Sequence, residues 1–355
     1  MNKFRKLYCR TFQSVFKVAL PFLPYRKPEI LGSVKELPGV LQKHGCERVL
    51  LITDSGIKKL GLTKRLEQSL SAHNISYTIY DKTVANPTTA NVAEALSLYK
   101  TNECHAIIGF GGGSSIDCAK AVGACIAKPR QPLSKMKGIL KVHKKLPLLI
   151  AVPTTAGTGS ETTLAAVITD AETRHKYAIN DFPLIPRYAV LDPKVTLSLP
   201  PFITATTGMD ALTHAVEAYI GNSTTHGTRK NAEFAVKLIF ENLDTAYENS
   251  SDLDARRNML KASFYAGCAF TKSYVGYVHA VAHSLGGEYN VPHGLANAIL
   301  LPSVLEAYGP CIYKKLNRLA VCAGIASKNV PHEEGAEAFI QAIKDMKSIT
   351  ESTTP

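Results

Sequence analysis

The sequence predicts an α/β N-terminal half built on a parallel β-sheet, followed by an all-α C-terminal half. The first half alternates short β-branched apolar runs with helical patterns, which is typical of a parallel sheet covered by helices. From about Pro200 onward, long helical patterns such as GMDALTHAVEAYI follow with almost no strand signal. A chain of 355 residues with 45% hydrophobic composition suits two domains. We therefore expect domains over residues 1–199 and 200–355.

Five apolar runs carry the predicted sheet. Each is rich in valine, isoleucine or aromatic residues and is short enough for a buried strand. They are RVLLITD near residue 50, SYTIYD near 78, AIIGFGGG near 109, PLLIAVPTT near 150 and YAVLDP near 190. Helical patterns lie between several of them, so the strands are expected to run parallel.

Charge and cysteine usage exclude several classes of protein. The net charge is +12, but lysine and arginine are scattered along the chain, which indicates a solvated surface and not a nucleic-acid interface. The eight cysteines form no CxxC pair and no regular framework. This usage favours a reducing, cytoplasmic compartment over a disulfide-stabilised secreted protein.

The two ends of the chain are predicted to add little to the fold. The N-terminal stretch MNKFRKLYCRTFQSVFKVALPFLPYR combines basic and apolar residues, but Pro21 and Pro24 interrupt its apolar run. We expect an amphipathic extension packed on the body of the protein or on a partner subunit, and no signal peptide. No segment approaches membrane-spanning length. The tail TESTTP is expected to be disordered.

Two glycine-rich loops follow predicted strands. FGGGSSID, from Phe110 to Asp117, opens a helix, so its backbone amides and the helix N-terminus favour an anionic phosphate. A tight strand-to-helix turn is an equally good explanation of this loop. PTTAGTGSE, from Pro153 to Glu161, presents several hydroxyls among glycines that let a ligand approach closely. Neither loop is a GxGxxG fingerprint.

Asp54 ends the first predicted long strand. A carboxylate at this place can accept hydrogen bonds from ribose hydroxyls. A lone aspartate after a strand is more often a helix N-cap, so both interpretations stay open.

Histidines and a carboxylate cluster in the C-terminal half. Asp210 and His214 stand four residues apart, as do His279 and His283, so each pair shares one helix face. His293 follows in a loop or helix start. An isolated histidine is usually structural, but alanine, valine and leucine surround these residues. A carboxylate buried in such helices needs strong compensation, and a divalent cation supplies it.

Taken together, these motifs resemble those of a known family. It is similar to the iron-containing, group III alcohol dehydrogenases, which include lactaldehyde reductase and iron-dependent butanol dehydrogenases. The matching stretches span residues 30 to 325 approximately: GFGGGSSID, AVPTTAGTGSE, PPFITATTGMDALTHAVEAY, VHAVAHSLGGEYNVPHGLANAILLP, and NPT at 86–88. The joint occurrence of these stretches in this order is highly specific.

The resemblance implies a fold for each half of the chain. It implies a Rossmann-like dinucleotide-binding N-terminal domain and an all-α metal-binding domain in a dehydroquinate synthase-like fold. It also implies that the helical domain is shortened at its C-terminus.

The resemblance assigns roles to individual residues. It implies the metal ligands Asp210, His214, His279 and His293, with His283 beside the site as a catalytic residue outside the coordination shell. The implied cofactor contacts are Asp54, Asn86, Gly112, Gly113, Ser114, Thr154, Thr155, Thr158, Val167 and Lys176.

The implied activity is hydride transfer between a short- or medium-chain primary alcohol, or its aldehyde, and NAD or NADP. The implied metal is Fe²⁺, although imidazole and carboxylate ligands suit Zn²⁺ as well. Ala165 stands where lactaldehyde-type enzymes carry asparagine, which makes diols poorer candidates. The alternatives are a zinc-dependent glycerol or polyol dehydrogenase of the same fold, and a catalytically silent nucleotide- or metal-binding relative. The implied assembly is a homodimer or larger homo-oligomer.

Overall fold

The computed structural model describes most of the chain. It covers residues 22–289 and 291–351, with side chains described up to 346, and the isolated residues Tyr8, Arg10, Thr11, Ser14, Val15, Val18 and Ala19. The predicted N-terminal extension lies largely outside the described residues. So does the predicted disordered tail, apart from Thr350 and Glu351, which end a helix.

The chain forms two compact units. The α/β unit comprises Tyr25–Thr155 and Ser160–Leu197. The helical unit comprises Ala156–Gly159 and the chain from Ser198 onward, together with the described residues before Tyr25. The division into domains 1–199 and 200–355 stays a prediction.

Nine strands form two sheets in the α/β unit. In chain order they are β1 (Glu29–Leu31), β2 (Arg48–Ile52), β3 (Ser76–Tyr80), β4 (Ala106–Gly111), β5 (Gly138–Ile139), β6 (Leu148–Pro153), β7 (Ala165–Thr169), β8 (Lys176–Asn180) and β9 (Tyr188–Val190). Six of them make a wholly parallel sheet in the order β1-β9-β6-β4-β2-β3. The other three make a small sheet, β5-β8-β7, in which β7 and β8 are antiparallel.

The five predicted strands are confirmed as β2, β3, β4, β6 and β9 of the parallel sheet. The sequence did not reveal β1 or the small sheet. Strands β1 and β5 have only three and two residues, and β7 and β8 alternate buried with more exposed residues, so none has the continuous apolar character of a strand that is buried on both faces.

Helices cover both faces of the six-stranded sheet. They are α1 (Leu37–Lys43), α2 (Ser55–Lys59), α3 (Lys64–Ala72), α4 (Thr89–Thr101) and α5 (Gly113–Ala127). Alternate residues of β2 enter different cores, because successive side chains of a strand point to opposite faces. Leu50 and Ile52 join the core that α4 and α5 contribute to, and Val49 and Leu51 join the core beneath α1 and α3.

The order of the parallel strands reverses between β2 and β4. From β2 the chain moves outward to β3, and it then returns to the other side of β2 for β4, β6 and β9. In open α/β sheets, ligands bind outside the carboxyl ends of the strands at such a reversal. The loops that follow β2, β4 and β6 therefore share the edge where a nucleotide would be held.

From Ser198 onward, the described residues of the helical unit form seven helices of ten or more residues. They are α6 (Pro201–Ile220), α7 (His226–Glu248), α8 (Leu253–Ser273), α9 (Tyr277–Glu288), α10 (His293–Tyr308), α11 (Tyr313–Cys322) and α12 (His332–Glu351). From Ser198 to Glu351, with Asn290 outside the description, this unit contains no strand, which confirms the all-α prediction. Helix α6 is central because it packs against α7, α8 and α10.

Two further observations concern the described part of the chain. None of its helices is both long and apolar enough to span a membrane. The seven cysteines within the described residues are all free.

Helices α6 and α10 pack tightly against each other at Gly294. A methyl group there would lie 2.5 Å from the backbone carbonyl oxygen of Thr206, an atom that cannot move without distorting α6. Gly294→Ala is therefore expected to lower the free energy of unfolding by about 1–3 kcal/mol in urea denaturation. The control is Gly227→Ala in α7, where nothing lies within 4 Å of the new methyl group and alanine favours helix formation. Equal stability of the two variants would contradict this packing.

Candidate metal centre and nucleotide loops

Helix α6 carries the polar core of the helical unit. Asp210, His214 and Glu217 lie at i, i+4 and i+7 on one face of this largely apolar helix, and all three are buried. Leu212, Ala215 and Val216 fill the positions between them. The helix therefore holds two carboxyl groups in a hydrophobic interior, where each needs partners.

Three of the predicted ligands converge from three helices. The Oδ1 atom of Asp210 on α6 lies 3.6 Å from Nε2 of His279 on α9 and 3.6 Å from Nε2 of His293 on α10. The three donor atoms lie within 4.8 Å of one another. Asp210 and His279 are buried, and the side chain of His293 is partly exposed.

His214 lies next to this triad. Its Nδ1 atom is 4.0 Å from Oδ1 of Asp210, and its ring stacks between Phe270 at 4.1 Å and His279 at 4.3 Å, measured between ring centroids. That nitrogen is buried and makes no hydrogen bond to any described residue. Its assignment as a fourth ligand stays a prediction, and an unpaired nitrogen beside Asp210 suits that assignment.

The electrostatics of the cluster keep the carboxyl group of Asp210 ionised. Burial alone would raise the pKa of this carboxyl group, but the neighbouring imidazoles of His214, His279 and His293 lower it strongly. Burial lowers the pKa of His214 to about 3, so this ring is neutral and can offer a lone pair. For His279, burial is outweighed by the neighbouring carboxylates of Asp210 and Glu217, which raise its pKa to about 9.

The residues of the cluster fit a divalent cation. Three imidazoles and one carboxylate supply the nitrogen and oxygen donors that Fe²⁺ and Zn²⁺ accept in proteins. A buried carboxylate among imidazoles is compensated by a cation, and the unpaired nitrogen of His214 offers a further donor.

His283 lies one helical turn beyond His279 on α9 and is exposed. Its ring centroid is 5.1 Å from that of His293 and 6.1 Å from that of His279. The side chain is therefore adjacent to the cluster but is not one of its three converging donors.

Two residues of the cluster were missed in the sequence. Asn297 on α10 is fully buried, and its Nδ2 atom lies 2.7 Å from Oδ1 of Asp210 and 3.2 Å from Nε2 of both His279 and His293. Glu217 on α6 accepts a hydrogen bond from Nδ1 of His279 at 2.7 Å. Their helical spacing from known candidates, i+4 from His293 and i+7 from Asp210, was the available signal.

The first glycine-rich loop opens α5. Gly112 is the N-cap in an extended conformation and provides no side chain to cap the first amides of the helix. Gly113 and Ser114 begin the helix itself, directly after β4. The first amides of α5 thus lie at the carboxyl edge of the sheet, where an anion is favoured.

The structure joins three of the predicted cofactor contacts. Lys176 on β8 donates from Nζ to Oδ1 of Asn86 at 2.6 Å, and the backbone amide of Asn86 donates to Oγ of Ser114 at 3.3 Å. Asn86 has a φ of 57°, which asparagine tolerates better than most residues. Residues that are distant in sequence are therefore assembled beside the first loop.

A buried polar network holds the second loop against α5. Asp117 accepts from Oγ of Ser160 at 2.6 Å and from the amide of Val167 at 3.0 Å. Lys120 is fully buried and donates to Oγ of Ser160 at 3.1 Å and to Oγ1 of Thr163 at 2.8 Å. The bond from its backbone amide to Asp117 therefore fixes the position of Val167, which is a predicted cofactor contact.

The remaining predicted cofactor contacts lie in the loops after β6 and β2. Thr154 and Thr155 follow β6, and the amide of Thr154 donates to the carbonyl oxygen of Gly111 at 3.1 Å. Thr158 lies in the segment that belongs to the helical unit. Asp54 caps α2, because its Oδ1 atom accepts from the amide of Ile57 at 2.9 Å. The N-cap interpretation thus describes one oxygen of Asp54, and its role toward a cofactor stays a prediction.

Comparison with known proteins decides the family. Residues 30–193 match the iron-containing alcohol dehydrogenase family, and residues 204–354 match the C-terminal domain of the Fe-containing alcohol dehydrogenases. The chain belongs to the iron-containing alcohol dehydrogenase family. The predicted resemblance is therefore confirmed, as is the activity of the family, NAD-dependent oxidation of alcohols or reduction of aldehydes.

Similar proteins carry names that refer to different alcohols. The chain is 39% identical to alcohol dehydrogenase 4 of Saccharomyces cerevisiae over 304 residues, which is 85% of this chain and 79% of that protein. It is 36% identical to the NAD-dependent methanol dehydrogenase of Bacillus methanolicus over 312 residues, or 88% of this chain and 81% of that one. A crystal structure of a 1,3-propanediol oxidoreductase has a TM-score of 0.88 at 36% identity, covering 92% of this chain and 85% of that one.

The buried network near α5 predicts a pH-dependent stability. Burial raises the pKa of Glu161 to about 7 from its ordinary 4.5, against the attraction of Lys120, and its Oε1 atom has no hydrogen-bond partner among the described residues. The folded protein therefore holds this proton more tightly than the unfolded chain does, and stability is lost as the pH rises from 4.5 to 7.

Glu161→Gln is expected to remove that loss. Relative to the wild type, the variant should gain up to about 3 kcal/mol in free energy of unfolding across this pH range. Urea denaturation at several pH values measures the gain. Glu172→Gln, at an exposed position of the same unit, is the control. Parallel stability curves for Glu161→Gln and the wild type would refute the buried-proton account.

Proposed function

We propose that this protein is a metal-dependent alcohol dehydrogenase, or aldehyde reductase, acting on short- or medium-chain primary alcohols with NAD. The proposed metal ligands are Asp210, His214, His279 and His293. One observation carries the proposal: three of these four side chains, from three different helices, converge on one point in a member of this family. Convergence from distant parts of the chain is typical of a binding site and is unusual for exposed surface charges.

A bound divalent cation supplies Lewis acidity, which polarises an alcohol or aldehyde oxygen. The chain itself supplies the surroundings of that cation. Asp210 contributes the negative charge, the imidazoles of His279 and His293 contribute nitrogen donors, and the apolar residues of α6 exclude water. His283 is proposed to relay the alcohol proton, since it is exposed and adjacent to His293.

The carboxyl edge of the parallel sheet is proposed to hold the nicotinamide cofactor. Gly112, Gly113 and Ser114 would bind its pyrophosphate through the first amides of α5. Most of the other proposed contacts lie in the loops that follow neighbouring strands, or are hydrogen-bonded to those loops. They are Asp54, Asn86, Thr154, Thr155, Val167 and Lys176. Thr158, the last proposed contact, belongs to the helical unit. NAD is proposed over NADP because of the carboxylate of Asp54.

Fe²⁺ is the proposed metal, because the family is iron-containing. The same donors bind Zn²⁺, which generally binds such sites more tightly than Fe²⁺ does. A diol or polyol substrate is the second candidate, favoured by the similarity to a 1,3-propanediol oxidoreductase. Anaerobic purification, metal analysis and a panel of aldehydes and diols with each reduced cofactor would separate the two.

We extend the proposal to location and assembly. A cytoplasmic location is supported by the free state of the seven described cysteines, which fits a reducing compartment. A homodimer or larger homo-oligomer is proposed from the family resemblance, and sedimentation of the purified chain would test it.

The roles of two neighbouring histidines can be separated. His279→Ala removes one of the converging nitrogens, so metal content and activity should both collapse. His283→Ala should leave the metal bound but slow turnover by roughly 10²- to 10⁴-fold, because only a proton-transfer group is lost. Metal analysis and pH–rate profiles of both variants measure the difference. Loss of metal from both variants would place His283 among the ligands.

Cofactor preference can be traced to the charge of Asp54. Next to a ribose 2′-phosphate, its carboxylate would repel a like charge by up to roughly 4 kcal/mol at about 4 Å and an effective dielectric near 20. Asp54→Asn keeps an N-cap for α2 and removes the charge, whereas Asp54→Gly removes both. Both variants should raise kcat/KM with NADP relative to NAD. Equal efficiency of the wild type with the two cofactors would show that Asp54 is only a helix cap.

A further inference from the structure

We propose that Glu217 is a positioning residue of the metal centre, which sets the orientation and the tautomer of the His279 ring. This inference rests on the proposed function, because it presumes that His279 binds a cation. Glu217 is not one of the converging donor groups. It acts on the centre only through His279 and through the backbone that carries His279.

The Glu217 carboxyl group is surrounded by hydrogen-bond donors. It is buried on α6, and its Oε2 atom accepts from Nδ1 of His279 at 2.7 Å and from the amide of Gly276 at 2.7 Å. Its Oε1 atom accepts from the amide of Val278 at 2.7 Å. Three short contacts at one buried side chain form a rigid arrangement, since moving it would leave several buried groups unpaired.

The bond to Nδ1 decides which nitrogen faces the cluster. A cation that binds His279 replaces the proton on Nε2, and the bond to Glu217 keeps the remaining N–H on Nδ1. Nε2 of His279 is the atom that lies 3.6 Å from Asp210 and belongs to the converging triad. Glu217 therefore selects the tautomer that can bind a cation. A carboxylate behind a histidine also makes the imidazole a stronger ligand.

The bonds to Gly276 and Val278 fix the helix that presents the ring. Gly276 is the N-cap of α9 and has no side chain to satisfy the first amides of the helix. Glu217 satisfies two backbone amides there from a different helix, and its charge suits a helix N-terminus. His279 is in the first turn of α9, so the same carboxylate fixes both its backbone and its ring.

Gly276 shows how closely the carboxylate approaches. A methyl group at this position would lie 2.7 Å from Oε1 of Glu217. Gly276→Ala would therefore displace the carboxylate without removing it. Glu217→Gln keeps the size of the side chain but replaces one acceptor oxygen with an amide that donates. At least one of the three donors would then lack an acceptor.

The test compares zinc binding in the full-length protein after the metal is removed by chelation. Zn²⁺ affinity is measured by competition with a chromophoric chelator in the wild type, Glu217→Gln, Gly276→Ala and Thr213→Val. Thr213 is the control, because it is equally buried on α6 and, among the described residues, its hydroxyl bonds only to the carbonyl oxygen of Met209 at 2.8 Å. The metal-free Tm of each variant is measured as well.

Glu217→Gln and Gly276→Ala are expected to weaken Zn²⁺ binding by about 10- to 100-fold, with Thr213→Val unchanged. In zinc-loaded, histidine-labelled protein, NMR should show an exchange-protected Nδ1 proton in the wild type and in Thr213→Val. This signal should shift or broaden in Glu217→Gln. A residue that only stabilises the fold would lower the metal-free Tm without changing either zinc affinity or this signal.

Failure of the inference and failure of the proposed function give different results. If the wild type binds Zn²⁺ tightly and Glu217→Gln binds it equally well, Glu217 is a structural residue and the inference is overturned. If neither the wild type nor any variant binds Zn²⁺, the proposed metal centre itself is wrong. A weaker affinity in Thr213→Val equal to that in Glu217→Gln would also overturn the inference, because any change on α6 would then suffice.

Discussion

The burial of two carboxyl groups on one apolar helix is the constraint around which the helical unit is organised. Asp210 and Glu217 lie two turns apart on α6, and each would be costly to bury without partners. Glu217 is compensated by the start of α9, through two backbone amides and the ring of His279. Asp210 is compensated by imidazoles and by the amide of Asn297. The partners of both carboxyl groups come from α9 and α10, which therefore pack against α6.

These two compensations differ in kind. Every short contact of Glu217 comes from the chain itself, so this carboxylate is satisfied by folding alone. Asp210 receives one hydrogen bond from Asn297, and its other neighbours are imidazole nitrogens at 3.6 to 4.0 Å. Asp210 therefore lies among donor groups that a divalent cation accepts. The difference explains why one acid is proposed as a ligand and the other as its support.

The α/β unit also contains buried charged groups, and there they hold a loop in place. Its polar loops meet at the carboxyl edge of a parallel sheet, and a buried lysine and carboxylate on α5 hold the second loop in place. Lys120 and Asp117 together bond Ser160, Thr163, the backbone carbonyl of Ala165 and the amide of Val167. Burial lowers the pKa of Lys120 to about 8, against the attraction of Asp117 and Glu161. Loops that bind a ligand through their backbone need such rigid support.

Hydrophobic periodicity and motif order determined the architecture from the sequence. Five strands of the parallel sheet and the all-α second half were predicted from local patterns, and the motif series pointed to Asp210, His279 and His293, which the fold brings together. The strand order and the small β5-β8-β7 sheet were not predicted. Pairing between short strands depends on contacts across the fold, and these leave little trace in local sequence.

The partners of the site residues were likewise decided only by the tertiary structure. Nothing in the local sequence places Glu217 beside His279, 62 positions later, or Asn297 beside Asp210, 87 positions earlier. Asp54 could cap a helix or face a ribose, and only the fold shows that one of its oxygens caps α2. Sequence specifies which side chains a helix or loop presents. Which of them share hydrogen bonds is set by how the helices pack, since a hydrogen bond forms only within about 3 Å and in the right direction.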